Sequence, residues 1–153
     1  MGAGNESELN NVLLIFCLFP IVFFFFWNGV VLLLAALGGW SRLAEHYRTQ
    51  TSFEGTRWSF KSGRMGFTNY NGCLTIGANS AGLYLAVMPL FRAGHAPLFV
   101  PWEDITTAPS RRFFFSYLNF NFARLPSVTL KLPEKMGETV LTLRPDFYAG
   151  EPD

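Results

Sequence analysis

Between Asn11 and Ser41 the chain carries no Lys, Arg, Asp, Glu or His, and this stretch limits its fold more than any other feature. Inside it, Val12 to Leu37 reads VLLIFCLFPIVFFFFWNGVVLLLAAL. As a helix it would extend roughly 39 Å, more than the roughly 30 Å hydrocarbon core of a bilayer. A cleaved signal peptide would carry a basic amino-terminal region and an apolar run of about 7–15 residues. Residues 1–10 instead hold Glu6 and Glu8 without Lys or Arg, and the apolar run is far longer. The segment is therefore expected to stay in the protein as one transmembrane helix over residues 12–37, behind a short head at 1–11.

Its flanks set the expected orientation. No basic residue precedes the helix, whereas Arg42, Arg48, Arg57, Lys61 and Arg64 follow it. The positive-inside rule then puts the head outside and the rest of the chain in the cytoplasm, with the helix in the cytoplasmic membrane. Cys17 and Cys73 fall in different compartments of that arrangement and form no disulfide framework.

Within the helix, Pro20 removes a backbone donor, which membrane helices tolerate. Asn28 places an amide in hydrocarbon, where it needs either its own backbone or a neighbouring helix as partner. Phe16, Phe19 and Phe23 to Phe26 exceed what lipid contact requires. Phe23, Phe26, Trp27 and Asn28 are the candidate contacts to another membrane protein's helices. With no histidine in this segment, pigment or haem ligation is not expected.

Residues 38–50 change character. Trp40, Leu43, Ala44 and Tyr47 recur at helical spacing, predicting a juxtamembrane amphipathic helix with Trp40 and Tyr47 at the membrane–water boundary. After Gln50, short apolar or alternating runs are separated by Gly, Pro and Asn every 8–12 residues, the pattern of an all-β barrel or sandwich over residues 51–145. Asn71-Gly72 predicts a two-residue hairpin turn. TVLTLR, residues 139–144, reads as the last strand, and residues 146–153 as an extended tail.

RAGHAPLFVPWED, residues 92–104, holds a histidine and, eight positions later, a glutamate and an aspartate side by side. Gly94 and Pro97 predict a turn with His95 at a hairpin tip. The strand that follows runs at about 3.3 Å per residue, which leaves Glu103 and Asp104 very roughly 20 Å from His95. Proton sharing at that distance is impossible. Trp102 is expected in the core, with Glu103 or Asp104 capping the next turn. No zinc or thiol–imidazole spacing, P-loop, G-x-S-x-G or G-x-G-x-x-G occurs, so no catalytic, cofactor or metal site is expected and the protein is read as a non-enzyme. From Ser41 onward 12 basic residues face 9 acidic ones, a net charge of +3. That is too mild for a nucleic-acid binder.

One segment stands apart. SRRFFFSYLNFNFAR places Arg111 and Arg112 before Phe113, Phe115 and Tyr117, with Arg124 beyond. It reads either as a central strand covered on both faces or as an aromatic surface rimmed by arginines, pressed onto a partner or the bilayer.

GGWSRLAEHYR, then YNGCLTIGANSAGLYLAVMPLFRAGHAPLFVPWEDI, then SVTLKL resembles a set of bacterial single-pass membrane proteins with a pleckstrin-homology-like β domain, over roughly residues 38–144. The resemblance implies a small, strongly bent antiparallel barrel or sandwich and attaches no activity. The sequence departs from that pattern after TVLTLR, where no amphipathic helix follows to plug the barrel; the 38–50 helix is the candidate substitute. The resulting expectation is a membrane-anchored accessory or scaffolding subunit of a larger bacterial membrane complex, respiratory or photosynthetic. Its partners would be membrane lipid and other membrane-protein subunits, with no nucleic acid and no small-molecule substrate. The alternative is a membrane-surface module recognising anionic lipid headgroups through Arg111, Arg112 and Arg124.

Overall fold

The computed structural model of the chain describes residues 3–146; beyond Asp146 the expected tail lies outside the described residues. One long helix, α1 (Ala3–Leu37), leads into a short second helix, α2 (Trp40–Tyr47), and a seven-stranded antiparallel sheet. The strands are β1 (Thr56–Met65), β2 (Thr68–Ala78), β3 (Gly82–Val87), β4 (Leu98–Pro101), β5 (Ile105–Arg112), β6 (Phe115–Phe122) and β7 (Thr129–Pro133), in spatial order β4-β3-β2-β1-β7-β6-β5. A third helix, α3 (Glu134–Leu141), follows the last strand.

Helix α1 is long and apolar enough to cross a membrane, and no residue in its most apolar part is buried in the rest of the molecule. It takes in most of the residues expected as a separate head. Gly39 ends it, in the left-handed conformation (φ 78°) that only glycine adopts at no steric cost, and the chain turns there into α2. A side chain at Gly39 would also strike Val128. The last part of α1 is not free. Val31 and Ala35 are 1% and 0% exposed, and the Thr68 hydroxyl donates to the Leu34 carbonyl at 3.1 Å.

Trp40 and Tyr47 were expected at a membrane boundary; both are instead buried in the core with Leu43. Each such side chain contributes about 1.5–3 kcal/mol by leaving water, which outweighs the preference for an interface. The Trp40 indole keeps its hydrogen bond by donating to the Ala96 carbonyl at 2.8 Å. The amphipathic stripe predicted for this helix, with Trp40, Leu43 and Tyr47 on one side, matches this packing. TVLTLR, however, is not a strand. Most of it belongs to α3 and the turn after it, with Gly137, Val140 and Leu141 buried. Gly137 lets α3 lie on β6, where an added Cβ would come within 2.7 Å of the Leu118 Cβ.

Asn71-Gly72 is not a hairpin turn either. Both residues lie inside β2, and the β1–β2 turn falls at Gly66-Phe67 instead. Between the pairs Lys61↔Leu74 and Gly63↔Tyr70, Ser62 faces three residues of β2, a bulge in which the Gly72 N–H donates to the Ser62 hydroxyl at 2.9 Å. A second bulge sits on β1 between Trp58 and Lys61, where Phe60 has φ 57°. Bulges on facing strands bend the sheet strongly and let it curl around one core. Leu74, Ile76, Leu83, Leu85, Phe120, Phe122, Leu130 and Leu132 fill that core.

Candidate functional site

The aromatic segment is not one strand. Strands β5 and β6 pair without a break from Ile105↔Phe122 to Arg112↔Phe115, which leaves Phe113 and Phe114 as a two-residue hairpin turn. Such turns place a positive φ at the first central residue, normally glycine. Phe113 occupies that position with φ 55°. A bulky residue there costs about 1–2 kcal/mol, held in place by the eight cross-strand pairs behind it. The result is a tip on which Phe113, Phe114 and Phe115 are 84%, 98% and 66% exposed. Arg111 and Arg112 flank it, also exposed, and Tyr117 lies half-buried on β6 opposite Ser110. Among the described residues none covers these rings.

Arg124 does not join this group. It follows the opposite end of β6, where its Nε donates to Asp104 at 3.1 Å and its guanidinium stacks on Tyr47 at 5.9 Å. Asp104 also accepts the Tyr47 hydroxyl at 3.0 Å, so it fixes α2 to the end of the sheet. Burial and the Asp104 charge raise the Tyr47 pKa, while a backbone N–H donated by Arg124 works against them.

The four helix candidates divide evenly. Phe23 and Phe26 are exposed on α1. Trp27 is engaged within the chain: its indole donates to Leu90 O at 3.2 Å and its ring packs on Phe91 at 5.5 Å. Asn28 donates to the Phe24 carbonyl at 2.8 Å, the local backbone bond.

His95 is not at an exposed tip. The β3–β4 connection, residues 88–97, runs back along α1 and turns His95 inward to 2% exposure between Tyr70 and Trp40. Its Nδ1 lies 3.0 Å from the Ala93 carbonyl, which can only accept, so Nδ1 carries the proton. Nε2 then accepts the Tyr70 hydroxyl at 2.8 Å. Burial lowers the His95 pKa, pushes Tyr70 far above its usual value and raises the Cys73 thiol. All three groups are neutral near pH 7. No hydrogen bond or ion pair links His95 to Glu103 or Asp104, and among the described residues no cluster of three metal-ligating side chains occurs.

A groove of about 670 Å³ escaped the sequence reading. The α2–β1 linker brings Arg48, the start of β1 brings Arg57, and the β3–β4 connection brings Arg92 to its walls, with no carboxylate residue among the lining. These arginines are scattered through the sequence and share no motif; only the fold collects them. A comparison with protein-family models, curated proteins and solved structures finds no match to the chain.

Proposed function

We propose that the chain is a non-enzymatic, membrane-anchored accessory subunit of a larger membrane assembly, held by α1 with its β domain in the cytoplasm. The strand order followed by α3 supports a pleckstrin-homology-like reading of that domain, because α3 supplies the closing helix that TVLTLR had hidden. Binding rather than catalysis is the role this arrangement fits: the buried His95 and Tyr70 are hydrogen-bonded to each other and neutral.

The observation that carries the proposal is the Phe113–Phe115 tip. Three adjacent phenylalanines stand in water on a strained turn, although the hairpin would close more easily with a glycine. Strain that the fold does not need is retained where a side chain meets a partner. Apolar rings directly beside Arg111 and Arg112 fit a hydrophobic pocket with an acidic rim on a neighbouring subunit. Phe23 and Phe26 on α1 add a lateral contact in the bilayer.

Photocrosslinking tests this. The full chain, carrying a benzophenone side chain in place of Phe114, is irradiated in its own membranes. One discrete protein adduct, lost when Arg111 and Arg112 become glutamate, is the expected result. Adducts to lipid alone, or none, would overturn the proposal.

A further inference from the structure

We propose that the Arg48–Arg57–Arg92 groove binds the phosphate of an anionic phospholipid headgroup. The inference rests on the proposed bilayer-spanning role of α1 and goes beyond it by naming a lipid site.

Depth comes first. Counting from Val12, roughly 20 helical residues cross the hydrocarbon core, which then ends near Val31. Gly94, on the groove's wall, packs directly against the next turn of α1: a Cβ there would come within 3.0 Å of both the Ala35 Cβ and Leu32 Cδ2. The groove thus opens at the level of the headgroups. The neighbouring Leu90 supports the same depth. It is 64% exposed beside Trp27, about one helical turn inside the boundary, so an apolar side chain faces lipid there.

Charge comes second. Three arginines line the groove with no acidic residue among the lining. Arg48 and Arg92 are exposed, and their side chains have no hydrogen-bond or ion-pair partner among the described residues. Arg57 is held in place: it donates to the Phe53 carbonyl and lies over the stacked rings of Phe53 and Tyr84, at 5.4 and 5.6 Å. A guanidinium fork fixed on an aromatic floor is suited to bidentate phosphate recognition. A zwitterionic headgroup would find no carboxylate in this groove for its ammonium, so the site favours lipids with net negative charge.

The test uses the full chain in two steps. Retention in membranes after alkaline carbonate extraction checks the span; release into the supernatant would overturn that reading and the lipid site with it. The retained protein is then melted in nanodiscs of phosphatidylcholine alone, of phosphatidylcholine with phosphatidylglycerol, and of phosphatidylcholine with millimolar inorganic phosphate. Phosphatidylglycerol should raise the melting temperature by roughly 4 °C or more. Arg48→Gln/Arg92→Gln should lose most of that rise, and Arg111→Gln/Arg112→Gln should keep it. Retention without the rise, or a rise unchanged in Arg48→Gln/Arg92→Gln, would overturn the site while leaving the span intact. An equal rise with inorganic phosphate would overturn the assignment to lipid.

Discussion

The indole nitrogen of Trp27 lies 3.2 Å from the carbonyl oxygen of Leu90 and ties α1 to a loop 63 residues further along the chain. With the Phe91 ring against the same indole, this contact joins the apolar helix to the β domain. The domain does not hang from α1 on a flexible linker. It begins to pack on the helix well before the helix ends.

Trp27→Phe keeps the ring contact and removes the donor. Losing this hydrogen bond should cost about 1 kcal/mol locally. The amides of Phe91 and Arg92, bonded to Met88 and Pro89 in this loop, should then exchange with solvent about fivefold faster. Unchanged exchange would show that the loop is held by other contacts.

Two glycines at either end of that contact region should respond oppositely to alanine. Gly39 has φ 78° and sits against Val128, so Gly39→Ala meets both backbone strain and a steric clash. A loss of about 2 kcal/mol or more is expected, read as a lower melting temperature. Gly29 has open space around its Cα and ordinary helical geometry, and Gly29→Ala should be neutral or slightly stabilising. Equal effects at the two sites would remove the turn at Gly39 as the cause.

How much of this was legible in the sequence depends on what each residue competes with. The apolar helix and the β domain were legible, because a charge-free run and regular turn punctuation have few alternative explanations. Asn71-Gly72 misled: a positive-φ glycine serves a bulge as readily as a hairpin, and only the pairing of β1 with β2 decides between them. Val140, Leu141 and the threonines around them read as a strand, although Met136, Gly137, Val140 and Leu141 also form one face of a helix. The turn at Phe113-Phe114 left no signal, since phenylalanine is not a turn residue. Trp40 and Tyr47 were placed at a lipid boundary by residue type, when the core behind α2 was the larger attraction. At the candidate sites, the aromatic cluster was visible as composition, whereas the arginine groove exists only once three distant segments meet.

His95 gives a pH prediction. Unfolded histidine binds a proton near pH 6.5, and burial lowers that value in the folded protein. Just below pH 6.5 the unfolded chain therefore holds more protons than the folded one, and stability falls as pH drops. The stability tied to neutral His95 is complete above about pH 6.5 and declines below it until the folded pKa is passed. The decline should not exceed about 1.4 kcal/mol per pH unit for this one group. Protonating Nε2 would reverse the bond, Nε2–H donating to the Tyr70 oxygen, and would leave the Tyr70 hydroxyl hydrogen without its acceptor. His95→Gln, with denaturation followed across pH 5 to 8, should flatten this part of the curve; a slope identical to that of the parent protein would exclude His95 as its source.

Phe113 and Phe114 separate stability from binding. Phe113→Gly relieves the positive φ, a gain of about 1–2 kcal/mol partly offset by the extra freedom of glycine in the unfolded chain. A net stabilisation of about 0.5–1 kcal/mol is expected. Phe114→Ser removes a ring that is 98% exposed and should leave stability within about 0.5 kcal/mol. Both variants should nonetheless lose co-purification of the assembly from detergent-solubilised membranes, Phe114→Ser the more completely, because a central aromatic anchor typically carries 2 kcal/mol or more of an interface. A destabilised Phe113→Gly would mean that the ring serves the fold. Full co-purification of Phe114→Ser would mean that the tip is not where the partner binds.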